Sequence, residues 1–236
     1  MLQFIYLIKV KFCFVSQVAT VHTWYVLTTI NCTNHGSIAQ LGLESITSFI
    51  KRQVKTGSEP MKNKQIVPTS VEKVMRDDDF IVSKTDPKGI LTYGNRIFIE
   101  FSGYSETELL GKQHNIIRHP DMPRCVFALL WQRLLNGEEI SAYVKNMSKD
   151  GSFYWVYANV TPSRDAKGNI IGYYSVRRKP SDTAMANIPD LYKALKQEES
   201  LHPTKAQIAA GNTLLNSQLD SLQLNYDSFV YQLQDR

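Results

Sequence analysis

Between Asp79 and Pro180 the spacing of apolar positions follows first one period and then another. The stretch "FIVSKTDPKGILTYGN" alternates apolar and polar residues on both sides of Asp86-Pro87-Lys88-Gly89. It predicts two strands joined by a tight turn, in which proline presets one dihedral and glycine accepts the next. "NRIFIEFSG" and "SETELLG" predict two brief helices, ended by Gly103 and Gly111; the second opens on Ser105 with Glu108 three residues on, a capping-box arrangement. In "MPRCVFALLWQRLLNGEE", Val126, Leu129, Leu130, Arg133 and Leu134 recur at helical spacing between Pro123 and Gly137, which predicts the longest helix of this region. The period then shortens to that of a strand. "ISAYVKNMSKDGSFYWVYANVTPSRDAKGNIIGYYSVRRKP" predicts three strands in meander, turning at Lys149-Asp150-Gly151 and at Asp165-Ala166-Lys167-Gly168. Two runs of strands separated by helices specify an α+β domain: a five-stranded antiparallel sheet with short helices on one face.

From Ser181 onward the pattern is helical. Leu215, Leu219, Leu222, Tyr226, Phe229 and Leu233 recur at alternating spacings of four and three, which predicts one amphipathic helix with a coiled-coil-like seam beginning just after Gly211. Such a helix either docks on its own domain or meets a partner or a second copy of the chain. The resulting division is a leader over 1–60, a polar segment over 61–78, a domain over 79–180 and a helical C-terminal extension over 181–236.

Composition narrows the function classes. The chain of 236 residues carries a formal charge of +5, but Lys9, Lys11, Lys51, Arg52 and Lys55 face only Glu44 and Glu59 in the first sixty residues, so the remainder is close to neutral. No basic stripe is left to follow a phosphate backbone, and nucleic acid is not an expected partner. Cys13, Cys32 and Cys125 lie far apart without C-x-x-C spacing, against a disulfide framework or zinc site and in favour of a reducing, cytoplasmic compartment. The apolar opening "MLQFIYLIKVKFCFVSQVATVHTWYVLTTI" is divided by Lys9 and Lys11 and carries Gln17 and His22, unlike the largely uninterrupted apolar run of a spanning helix. It reads as a leader that is either a weak anchor or upstream of a translational start at Met61; membrane contact is not expected.

The ionisable groups concentrate in "HNIIRHPDMP", residues 114–123. His114 and His119 are five apart with Pro120 next to the second, a poor arrangement for paired metal ligands, and no serine or cysteine nucleophile is matched to His119. The prolines instead stiffen a loop and reduce the freedom it loses on binding. Arg118 supplies a planar fork for phosphate or carboxylate, His119 a ring that stacks or donates, and Asp121 an acceptor that orients either. A charged, partly aromatic small molecule suits such a loop; a surface Arg–Asp pair is the plain alternative.

The stretches "NRIFIEFSGYSETELLGKQHNIIRHPDMP", "LLW" and "YVKNMSKDGSFYWVYANVTPSRDAKGNIIGYYSVRRKP" resemble a PAS domain, and in particular the input domain of bacterial aerotaxis receptors, from about Asp79 to Pro180. The resemblance implies the PAS fold and a sensor that holds FAD non-covalently between sheet and helices. It further implies that Asn95, Arg118, His119 and Asp121 help hold the flavin nucleotide, and that Trp131, Asn146, Trp155 and Asn159 line or support the pocket. The residues keep plainer readings: Trp131 and Trp155 as core packing, Asn95 as a helix cap, while Asn146 and Asn159 are strand amides that need partners if buried. Glu139 and Ile140 stand where aerotaxis receptors carry a Pro-Trp pair, which implies less aromatic contact with a flavin.

The expected function is therefore a sensory, signalling protein, linked to redox state or oxygen through FAD, with Asn146 reorienting as the flavin is reduced and the C-terminal helix carrying the change to a signalling partner or into self-association. The alternative is a cofactor-free PAS adaptor or dimerisation module. A haem sensor would need His114 or His119 as axial ligand. A flavin–cysteine photoadduct would need a thiol before Arg118, where there is none. No nucleophile, base and oxyanion donor converge at enzyme-like spacing, so no catalytic residue is expected.

Overall fold

The structure, a computed structural model, describes residues 66–234 of the chain, within a compact unit spanning 63–236. The expectations for residues 1–60, Cys13 and Cys32 included, lie outside the described residues. The hairpin forms as β1 (Ile81–Thr85) and β2 (Leu91–Gly94). Asp86 Oδ1 accepts from the backbone N–H of Lys88 at 2.8 Å and of Ile90 at 2.9 Å, and Gly89 takes the positive φ of 79° that the turn requires. Helix α1 (Arg96–Ser102) and the single turn α2 (Glu106–Leu109) follow, and the Glu108 carboxylate accepts from the Ser105 N–H at 3.0 Å as the capping box predicts. A 3₁₀ turn (His114–Ile117) leads through the proline-rich loop into α3 (Arg124–Leu135).

Strands β3 (Ile140–Met147), β4 (Phe153–Arg164) and β5 (Ile170–Arg178) complete one antiparallel sheet of order β2-β1-β5-β4-β3. The register pairs Ser83 with Ser175, Val160 with Ser175 and Ala142 with Ala158, which fixes which side chains share a face. On one face lie α1 to α3 and the greater part of the core, including Phe98, Ile117, Leu134, Tyr154 and Val156.

The C-terminal extension, whose form differs from the single seam predicted, packs against the β3–β4 part of the other face and against α3. It comprises α4 (Asp182–Ser200), α5 (Gln207–Ser221) and α6 (Tyr226–Gln234). Helix α4 has its own signals, the Ser181 hydroxyl accepting from the Ala184 N–H at 3.0 Å and Ala184, Ile188, Tyr192 and Leu195 buried at helical spacing, but Pro189 interrupts the pattern in the sequence. The seam breaks after Ser221 because Gln223 adopts φ 56°, the Leu224 N–H turns back to the Leu219 carbonyl at 3.0 Å, and the Asn225 side chain accepts from the Ser228 N–H at 2.8 Å to start α6. Leu222 is consequently 53% exposed, whereas Leu215, Leu219 and Tyr226 are buried in the chain's own core. The Tyr143 hydroxyl donates to the Val230 carbonyl at 3.2 Å and the Tyr192 hydroxyl to the Tyr143 carbonyl at 2.8 Å, tying α6 and α4 to β3.

Gly211 lies inside α5, not ahead of it. A Cβ there would stand 2.8 Å from Cys125 Sγ and 3.0 Å from both Cys125 Cβ and Glu199 Oε1. Alanine in place of glycine ordinarily favours an exposed helix by about 1 kcal/mol. At this contact the sign reverses: Gly211→Ala is expected to lower stability by about 1–3 kcal/mol through overpacking between α5 and α3. An unchanged or raised urea midpoint would contradict the packing. Among the described residues no helix is long and apolar enough to cross a membrane.

Candidate ligand cavity

Strand alternation places Ser83, Val144, Asn146, Val160, Ser175 and Arg177 on the sheet face that looks toward α1 and α3. Between that face and the helices lies a cavity of about 380 Å³, closed on the helix side by Arg118, Phe127, Trp131 and Leu134 and, from the C-terminal extension, by Ile208. The size is within the range of small-molecule sites, and the walls are mainly apolar and aromatic with few polar groups, as such sites require. Trp131 and Tyr173 meet edge to face at 5.4 Å between ring centroids and form one aromatic wall.

The polar groups on these walls are incompletely satisfied. Arg177 is 4% exposed; its Nη2 donates to Ser83 Oγ at 2.8 Å and to His114 Nε2 at 2.6 Å, while Nη1 has no partner. No carboxylate forms an ion pair with it among the described residues. Burial lowers the Arg177 pKa to about 10. Burial, and then the Arg177 charge, push His114 down to about 3, so the ring is neutral and accepts through Nε2. Asn146 Nδ2 and Ser175 Oγ are also buried without partners. Each such atom costs about 1–3 kcal/mol unless a ligand or water meets it. Three of them on one cavity wall make a receptor surface for a ligand with hydrogen-bonding edges and an electron-rich group.

The sequence-predicted residues separate into two sets. Arg118, Trp131 and Asn146 come together at the cavity. Arg118 lies over the Phe127 ring, 4.0 Å from its centroid, and its Nη2 reaches the Met122 carbonyl at 3.5 Å; burial first, and Arg124 after it, lower its pKa against the pull of Glu199. His119 is buried beside the loop, Nδ1 accepting from the Asp121 N–H at 3.1 Å and the ring edge-on to Phe153, and it does not line the cavity. Asp121 points outward, 64% exposed, and pairs with Lys145 at 2.7 Å. Asn95 is a structural cap: its Oδ1 accepts from Phe98 N–H and Val82 N–H, each at 3.0 Å, and its Nδ2 donates to the Phe80 carbonyl at 2.7 Å. Trp155 and Asn159 do not line the cavity, which takes Ala158 and Val160 from β4 while their odd-numbered neighbours face the opposite side. There Trp155 packs on Tyr192 of α4, and Asn159 donates to Ser141 Oγ at 3.2 Å. Ile140 is buried but outside the cavity lining, so the Pro-Trp replacement does not alter a wall.

Ser83, His114, Arg124, Ser175 and Arg177 are cavity residues that sequence reasoning did not select. Arg177 carried a signal: it sits two and four residues after Ser175 and Tyr173, a cation on the inward-facing parity of a strand whose neighbours already defined the core side.

Residues 91–177 match the PAS fold family. Over 121 residues the chain is 44% identical to the aerotaxis receptor of Escherichia coli (strain K12), an alignment that spans 51% of this chain and 24% of that protein. Residues 91–177 form a PAS domain. The domain is also 29% identical over 97 residues to a nitrogen fixation regulatory protein of Klebsiella pneumoniae, covering 41% of this chain and 20% of that one. Among solved structures, the light state of the blue-light photoreceptor Aureochrome1 LOV aligns at 25% identity with a TM-score of 0.42, over 48% of this chain and 91% of that one. The chain spans about a fifth to a quarter of the length of the curated relatives it matches.

Proposed function

We propose that the PAS domain, residues 79–180, is a redox or oxygen-linked sensor that holds FAD non-covalently in the cytoplasm, and that 181–236 is its output element toward a signalling partner or a second copy. The observation that carries this reading is the set of unpartnered atoms on the cavity wall, Asn146 Nδ2, Ser175 Oγ and Arg177 Nη1. Similarity to proteins named as an aerotaxis receptor and a nitrogen fixation regulator supports a signalling role over a catalytic one. A bound flavin supplies a redox couple whose ring changes its hydrogen-bonding and charge as it gains electrons. Asn146 presents an amide able to meet either donor or acceptor by rotating, and Arg177 presents a cation that favours negative charge at the ring. Phe127, Trp131 and Tyr173 exclude water from the same space. Helix α3 carries Phe127 and Trp131 on the cavity side and is itself held by α4, so a change in the cavity reaches the C-terminal layer through one rigid element.

Purified protein is expected to be yellow, or to become so with added FAD, and to bleach with dithionite. Colourless protein that takes up no FAD would overturn the reading. Asn146→Leu is expected to weaken FAD binding about ten-fold and to raise the stability of the flavin-free protein by about 1 kcal/mol, because it removes an orphaned amide. The cofactor-free adaptor has less support, since Leu215, Leu219 and Tyr226 are already buried within the chain. A haem reading meets a His114 Nε2 already engaged at 2.6 Å by Arg177. Cys125, for a photoadduct, does not line the cavity.

A further inference from the structure

On the side of the sheet away from the ligand cavity, a second cleft of about 530 Å³ opens between α4 and the β3–β4 strands, a volume within the range of small-molecule sites. Phe153 and Trp155, both half-buried, form an aromatic floor, and Trp155 leans on Tyr192 at 5.9 Å between ring centroids. Strand parity turns these two rings, with Lys145, away from the cavity. The Lys145 ammonium stands 4.3 Å from the Phe153 ring centroid and pairs with Asp121 at 2.7 Å, so those two charges settle each other. Four further ionic groups line the cleft: Asp190, Lys193 and Lys196 on α4, and Glu72 from the segment that bridges to Phe153. None of the four forms an ion pair among the described residues. Burial raises the Glu72 pKa against the pull of Lys145, so a second cation beside that carboxylate relieves it. Two unpaired cations and two unpaired carboxylates balance, so a ring that carries one charge alone is attracted by one pair and opposed by the other. A molecule with an ammonium and a carboxylate on an aromatic body meets both signs and covers the rings.

We propose that this cleft is a second ligand site, for an aromatic zwitterion of amino-acid size, with Lys193 and Lys196 taking its carboxylate, Glu72 its ammonium and Trp155 its ring. The site shares no lining residue with the ligand cavity and does not depend on what fills that cavity. Its wall is α4 and its floor is the sheet, so a bound molecule joins the C-terminal extension to β4 and favours the docked arrangement. The domain then takes one input on each side of the sheet, and both bear on the same C-terminal layer.

The test titrates the full chain with L-phenylalanine, following the indole N–H signals of Trp155 and Trp131 by NMR. Hydrocinnamate, phenethylamine and glycine serve as comparisons, each lacking one of the three features: the ammonium, the carboxylate or the ring. Phenylalanine is expected to shift Trp155 and to bind about two- to five-fold tighter than either single-charge analogue, the factor an exposed ion pair supplies, while glycine leaves the signal in place. Replacing both lysines, Lys193→Gln with Lys196→Gln, is expected to remove the advantage over phenethylamine alone, and Glu72→Gln the advantage over hydrocinnamate alone. All three are surface substitutions, and unchanged urea midpoints verify that the fold is kept. A Trp155 signal unmoved by phenylalanine up to its solubility limit overturns the site, as does a shift at Trp131 alone, which places the molecule in the ligand cavity. Equal affinity for all three ring compounds, or advantages that survive the substitutions, overturns the assignment of the charged walls.

Discussion

Glu199→Ala is expected to lower the stability of the chain by about 3 kcal/mol, the largest effect of any single side-chain truncation outside the apolar core. Glu199 is 2% exposed and stands in the last turn of α4, yet it serves the start of α3. Pro123 occupies the N-cap position of α3 and offers no side-chain acceptor, so the first N–H groups of that helix would go unsatisfied in a buried setting. The Glu199 carboxylate accepts two of them, at 2.9 and 2.8 Å, across 75 and 74 residues of chain. Charge-assisted bonds of this kind are worth about 1.5–3 kcal/mol each, and they are not additive when they share one carboxylate. Glu199→Gln keeps one acceptor oxygen and is expected to cost about half as much. Urea unfolding of the three proteins measures both values; equal midpoints for Glu199→Ala and wild type would show that the cap contributes nothing. The Cys125 thiol reports on the route. It is held near 12 by burial first and by Glu199 after it, so a thiol reagent reaches it readily only where α3 and the C-terminal helices part.

That cap marks the boundary of what the sequence discloses. The hairpin turn at Asp86 to Gly89, the capping box at Ser105 and Glu108, and the three-stranded meander are legible because each is a bargain among residues a few positions apart. The five strands follow from the same local patterns, whereas the pairing of β1 with β5 joins opposite ends of the domain and is seen only in the fold. Glu199 is illegible because its partners are backbone groups in a distant segment, and a glutamate at the end of a polar helix reads as solvent-facing. The cavity was legible in part. Arg118 was accessible from loop chemistry, and Asn146 from its uncharged amide among strand residues. Asn159 invited the same inference and pointed the other way, because choosing between the faces of β4 requires parity counted against a register that the sequence does not display. Arg177 was passed over for a different reason: its inward parity was readable, but a basic residue near a strand end is ordinarily a surface residue, and only the fold reveals that it is buried with no carboxylate partner among the described residues. The C-terminal seam failed at Leu222 because a heptad-like spacing persists through a left-handed turn that only the backbone at Gln223 discloses.

Between pH 6.5 and 4.5 the flavin-free protein is expected to lose stability steeply, chiefly through His114. Burial, then the Arg177 charge, depress its folded-state pKa to about 3 from an ordinary value of 6.5. As pH falls through 6.5 the unfolded chain takes up a proton that the folded chain refuses, so the stabilisation present above that pH drains away toward pH 3 at about 1.4 kcal/mol per unit for one such group. His119 shifts in the same direction, from burial and then Lys145, opposed by Asp121, and adds to the slope. The depressed carboxylates contribute later, because Glu108, lowered to about 2, and Asp79 begin to matter only as pH falls below their ordinary values of 4.5 and 3.8. The upper window therefore isolates the histidines. His114→Gln keeps an acceptor for Arg177 and removes the titration, and urea midpoints taken at several pH values should show its slope reduced by about one proton's worth, ~1.4 kcal/mol per unit. An identical slope in the variant would mean that His114 already carries its proton in the fold. That would set two cations 2.6 Å apart on a wall where, among the described residues, no carboxylate pairs with either, an arrangement that calls for a bound anion.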